Sequence, residues 1–129
     1  MPTIARFEDI AAWKLARQLC ARLGKMIDEG LFKNNYRLIS QIEGSSGSIM
    51  DNIAEGFERG MRLEFITFLG YAKASCGEFR SQLYRALDRQ YLQQAQFDEL
   101  FSLSFKISVM IYRFILYLQK TPIKGLRKK

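Results

Sequence analysis

Asp51, Asn52, Glu55, Gly56 and Glu58 gather carboxylates, an amide and a glycine on one apolar, helix-period stretch, Ser48 to Phe57. On a helix, carboxylates separated by four and three residues stand on neighbouring turns, a spacing from which acids can ligate a metal ion. The di-iron bundles that use such acids also need Glu-x-x-His pairs, and this chain has no histidine. The same absence removes the commonest general base, the Ser-His-Asp and Cys-His arrangements and the His-containing zinc sites. No Gly-x-x-x-x-Gly-Lys-Ser/Thr loop offers itself for nucleotide phosphates. The expectation is therefore a non-enzyme without metal or cofactor. Asn52, Glu55 and Gly56 then read as architecture: Asn52 and Glu55 project from one side, a buried amide fixes packing register, and Gly56 lets another backbone come near.

Such a cluster needs helices to position it, and the pattern supplies four. The first is expected from Asp9, as N-cap, to about Glu29, with Trp13, Ala16, Cys20, Leu23 and Ile27 as its seam. Gly30 ends it. A connection over Leu31 to Asn34 leads to Asn35 as the next cap, and Ile39, Ile42, Ser46, Ile49 and Ile53 form the second stripe. Gly44-Ser45-Ser46-Gly47-Ser48 has linker composition, yet Ile42, Ile49 and Ile53 keep helical phase across it. The helix is expected to continue, its small residues admitting a close neighbour. Gly60 closes that helix as a left-handed cap. The third helix opens at Arg62 and carries Phe65, Leu69, Ala72, Cys76, Phe79, Leu83 and Ala86. After a connection over Leu92 to Gln96, the fourth carries Leu100, Ser104, Ile107, Ile111, Phe114 and Leu118. Short connections predict an all-α, antiparallel up-down-up-down four-helix bundle.

Gln41-Ile42, the run Ser48 to Phe57, Glu64-Phe65, Phe68-Leu69, Ala72 and Gly77 to Leu83 together resemble the four-helix proteins encoded in intervening sequences of 23S ribosomal RNA genes. That family also looks related to the accessory proteins of diversity-generating retroelements. The resemblance spans about Phe7 to Leu118 and rests on the pattern Gln-Ile/Leu-Arg-Arg-Ala/Ser-x-x-Ser-Ile/Val-x-x-Asn-Ile-Ala-Glu-Gly. It implies a ring-like homo-oligomer, a pentamer in the best-known architecture, with RNA and a reverse transcriptase as partners. The chain departs from the pattern at Glu43-Gly44, where relatives have two arginines. Any phosphate contact made by that pair does not carry over.

Charge and surface apolarity point the same way. The chain carries +7 in total. Lys120, Lys124, Arg127, Lys128 and Lys129 hold most of it, since without them 15 basic residues face 13 acidic ones. Residues 1–119 are expected to form the bundle with a short N-terminal arm, and 120–129 a basic tail. Lys14, Gln18, Arg22 and Lys25 form a stripe on helix one, and Arg80, Arg85 and Arg89 punctuate helix three. With the tail they are the candidate nucleic-acid contacts. On helix four, Phe101, Phe105, Val109, Tyr112 and Leu116 lie beside the core stripe and are the candidate oligomer interface. Cys20 and Cys76 are expected in the core of a protein of the reducing cytoplasm. Charges are expected to interrupt every apolar segment short of a membrane span. The functional expectation is a non-catalytic, homo-oligomeric RNA-binding accessory protein. The alternative is a scaffold that binds only protein.

Overall fold

The computed structural model describes residues 4–121, so Lys124, Arg127, Lys128 and Lys129 of the expected tail lie outside the described residues. After a 3-10 turn at Phe7–Asp9 come α1 (Ala11–Asp28), α2 (Tyr36–Glu58), α3 (Arg62–Asp88) and α4 (Gln94–Lys120). Among the described residues there is no strand. The fold is an all-α four-helix bundle.

Asp9 is not the cap of α1. Ile10 holds that position with no side-chain cap bond, while Asp9 ends the 3-10 turn and pairs with Arg6 at 3.5 Å. The reason is apolar anchoring. Ile10 is buried, and the Phe7 ring meets Trp13 edge-on at 5.2 Å, so the entry to α1 is set by packing rather than by a capping carboxylate. The α1 seam keeps Ala16 and Leu23 as expected but replaces Trp13, Cys20 and Ile27 with the residues that precede them. Ala12, Ala16, Leu19, Leu23 and Met26 are buried, whereas Trp13, Cys20 and Ile27 are half-buried at its margin.

Asn35 caps α2 as expected: its Oδ1 accepts from the Leu38 amide at 3.1 Å, and its Nδ2 donates to the Tyr91 hydroxyl at 3.1 Å. Leu38 takes the buried position assigned to Ile39, which is half-buried. The helix runs unbroken through Gly44 to Ser48. Its small residues divide into two kinds, however. Ser45 and Ser46 are buried; Ser46 returns its hydroxyl to the Glu43 carbonyl, and Ser45 Oγ lies 3.2 Å from the Ile42 carbonyl. A Cβ at Gly44 or Gly47 would meet nothing within 4 Å, so neither glycine admits a neighbouring helix within the chain.

Gly60, at φ +77°, makes the left-handed turn between α2 and α3. Every residue of the expected α3 and α4 stripes is buried. The fourth helix begins earlier than expected, at Gln94, because Gln93 and Gln96 form a reciprocal capping box, with the Gln93 amide donating to Gln96 Oε1 at 2.9 Å. A second correction concerns apolarity. Lys106 and Arg113 are the only charges between Leu100 and Gln119, and α4 is long and apolar enough to cross a membrane by length and composition. Charge interrupts this segment at those two positions alone, which leaves it more apolar overall than expected. Packing gives another use for its apolar residues: Phe65 of α3 meets Phe114 edge-on at 5.3 Å and Phe57 of α2 at 6.0 Å, joining three helices. Such ring pairs contribute about 0.5–1.5 kcal/mol beyond the area they bury.

Candidate nucleic-acid and assembly faces

The contacts between α2 and α3 run in reverse order along the two helices. Gly56 meets Phe65 and Phe68, Ser75 Oγ donates to Ser48 Oγ at 3.1 Å, Ser45 Oγ donates to Gln82 Oε1 at 2.6 Å, and Arg85 Nη1 donates to Gln41 Oε1 at 2.9 Å. Gly56 is required by space. A Cβ there would lie 2.6 Å from Phe68 Cβ and 3.0 Å from Phe65 Cδ1. Asn52 works differently from expectation. Half-buried, it donates Nδ2 to the Ser48 carbonyl and to Ser48 Oγ, each at 2.8 Å, so its amide stays on its own helix and reaches α3 only through Ser48. Glu55 is exposed and paired with Arg59 at 3.0 Å, away from the packed side. The guanidinium of Arg59 also lies 4.9 Å over the Phe68 ring.

Asp51, Glu55 and Glu58 are exposed, and among the described residues no three acids or cysteines are grouped to hold a metal ion. Both cysteines are free. Burial pushes the Cys76 thiol up to about 11, against the weaker lowering effects of Arg80, a hydrogen bond with Ser104, and Lys73. Burial also raises Cys20. A hydrogen bond with Ser46 lowers it, and the charges of Asp51 and Glu43 raise it further. Thiols held protonated in this way are poor nucleophiles at neutral pH.

The expected basic residues do not form one surface. Lys14, Gln18, Arg22 and Lys25 are all exposed on α1, but Arg22 is spanned to Glu99 of α4 at 2.7 Å. Arg80, Arg85 and Arg89 do not act together: the five-residue step turns Arg80 about 140° away from Arg85 around α3, and Arg89 is the residue that caps its C-terminus. Arg80 turns to α4. Its guanidinium lies 5.9 Å over Phe101 and 5.7 Å over Phe105, and Nη1 donates to Ser104 Oγ at 3.3 Å and to the Ser104 carbonyl at 3.5 Å. Ser104 in turn donates to the Cys76 carbonyl at 3.2 Å. Arg85 faces α2 through Gln41, and Arg89 lies 5.7 Å over Tyr91. Lys120 is exposed at the end of α4.

The apolar row on α4 divides by depth. Phe105 is 55%, Tyr112 51% and Leu116 36% exposed, while Phe101 and Val109 are half-buried. Sequence reasoning missed how α3 widens this face. Tyr84, half exposed, meets Phe101 edge-on at 5.8 Å, and Lys73 Nζ lies 6.0 Å over Tyr112. It also missed Lys106 and Arg113, which are exposed on the outer side of α4. Their signal was present: Lys106, Arg113 and Lys120 recur every seven residues in a stretch without acids.

The sequence profile of the 23S rRNA-intervening sequence protein family matches residues 8–113. The fold is similar to the crystal structure of a protein of unknown function from the S23 ribosomal protein family of Bacteroides thetaiotaomicron, with a TM-score of 0.74 at 21% identity over 86% of this chain and 100% of that one. No match is found among curated proteins. The chain belongs to the 23S rRNA-intervening sequence protein family.

Proposed function

We propose that this member of the 23S rRNA-intervening sequence protein family is an up-down-up-down bundle that assembles into a ring-like homo-oligomer, a pentamer by analogy, and binds RNA in the cytoplasm without catalysing a reaction. It serves as an intervening-sequence protein or beside a retroelement reverse transcriptase. The observation that carries the reading is the outward face of α4, where Phe105 and Tyr112 are each more than half exposed on a helix whose other side is already packed. Contiguous exposed rings of this kind mark an interface, and a second copy is the partner always at hand. RNA is supported by the net charge of +7, which an oligomer multiplies around its axis.

Two measurements test the reading. Phe105→Asp with Tyr112→Asp buries unpaired charge at every interface, so light scattering is expected to give smaller species that remain helical. An unchanged mass rejects this face. RNA binding by the full chain and by a chain lacking residues 120–129 is then titrated with salt, and the truncated chain is expected to bind more weakly with a flatter slope. Equal affinity and slope exclude the tail. A second reading, a scaffold that binds only protein, draws on a separate observation: Arg22, Arg80 and Arg85 are already engaged by Glu99, Ser104 and Gln41. No RNA binding by the full chain at low salt would make that reading the better one.

A further inference from the structure

Lys106, Arg113 and Lys120 are exposed on α4 at intervals of seven residues. Seven residues are nearly two turns, so the three cations stand almost in line, roughly 10.5 Å apart by helix rise. No acid occurs between Leu100 and Lys120. Among the described residues, the side chain of none of the three takes part in a hydrogen bond, ion pair or ring contact, in contrast to those of Arg22, Arg80 and Arg85. Favourable interaction with the helix dipole accounts for Lys120 alone, because that effect fades beyond the last turn. Lys106 and Arg113 are each one residue beyond Phe105 and Tyr112, about 100° further round the helix. Assembly through the rings would leave the cations at its rim, open to solvent.

Resting on the RNA-binding reading above, we infer that the row Lys106, Arg113 and Lys120 is the track along which the phosphodiester backbone of single-stranded RNA lies. The ligand class follows from charge and shape. A line of evenly spaced, uncompensated cations over about 21 Å matches a flexible polyanion better than a compact anion, which would need the charges to converge. Each cation neutralises phosphate and releases counterions, so the row contributes affinity without base specificity.

The test uses the full chain, a fluorescein-labelled single-stranded RNA and a salt titration. Lys106→Gln/Arg113→Gln/Lys120→Gln is compared with Arg6→Gln/Lys33→Gln/Arg37→Gln, which removes the same net charge elsewhere. Loss of three phosphate contacts is expected to flatten the log–log salt slope by up to about 2 and to weaken binding at low salt about tenfold or more relative to the control variant. Circular dichroism and mass should match the parent, since all three side chains are exposed. If both variants bind alike while the parent binds RNA, the track is elsewhere and the RNA-binding reading survives. If the parent itself binds no RNA at low salt, that reading falls and takes the track with it. If the row variant loses binding to phosphatidylserine vesicles yet keeps parental RNA affinity, the row serves an anionic lipid surface and the inference is overturned.

Discussion

The α2–α3 seam and the outer side of α4 use similar residue types to opposite ends. In the seam, polar groups are consumed by the fold: Ser45 by Gln82, Ser48 by Asn52 and Ser75, Gln41 by Arg85. On the outer side of α4, Phe105 and Tyr112 leave half their surface in solvent, and Lys106 and Arg113 pair with nothing among the described residues. The family-like motif around Asn52 thus builds the bundle, whereas the groups free to act on a partner lie on a helix that carries no such motif. Polar character alone does not mark a functional residue. What distinguishes the two regions is whether the hydrogen-bonding and ring-stacking capacity is already spent inside the chain.

The sharpest way to break this contrast is at Gly56. Gly56→Leu forces a side chain into a space where even a Cβ lies 2.6 Å from Phe68 Cβ, and overpacking typically costs about 1–3 kcal/mol or more. A loss near the upper end is expected in urea unfolding, and a variant as stable as the parent would show that α3 withdraws freely from α2. Next comes Ser45→Ala. It leaves the buried Gln82 carbonyl without the 2.6 Å bond that satisfies it, a loss of about 1–3 kcal/mol. Gln82→Leu in the same background should restore part of that stability.

Smaller effects test the other half of the contrast. Gly44→Ala and Gly47→Ala place a methyl where nothing lies within 4 Å, so each should raise stability by up to about 1 kcal/mol through helix propensity. A loss instead would mean that a second copy presses on α2 in solution, which a dilution series of the same variants would expose. Lys106→Gln should change unfolding by no more than about 0.5 kcal/mol, as expected for an exposed residue without partners. The thiols give a pH signature. Cys76 sits at about 11 in the fold against 9.0 for the unperturbed group, so the unfolded chain releases its proton first as pH rises. Its contribution is fully present below pH 9 and disappears as pH passes through about 11. In a Cys20→Ala chain, thiol labelling at pH 8 should be slow until denaturant is added.

How far the chain could be read differs from helix to helix. In α3 and α4 one apolar phase dominates, so Phe65 to Ala86 and Leu100 to Leu118 are buried as their spacing implies. In α1 two phases compete, Trp13-Cys20-Ile27 against Ala12-Leu19-Met26, and both are apolar. Hydrophobicity cannot choose between them. The choice falls to the surface that α2 and α4 offer, and it places Trp13 at the edge where Phe7 can meet it. The basic residues were hardest to place. Arg80 counts as one positive charge in any composition, yet Phe101, Phe105 and Ser104 hold it against α4.

The order and number of helices, the cap at Asn35, the turn at Gly60 and membership in the family were set by the sequence itself, because backbone hydrogen bonds and left-handed glycines act within a few residues of where they are written. Tertiary structure alone decided that Gly44 and Gly47 lie against no neighbour, that Glu55 points to solvent, and that Arg22, Arg80 and Arg85 are engaged while Lys106 and Arg113 stay open. The physical reason is that a side chain's position around its helix axis is periodic and local. Whether another element waits at that position depends on residues tens of places away.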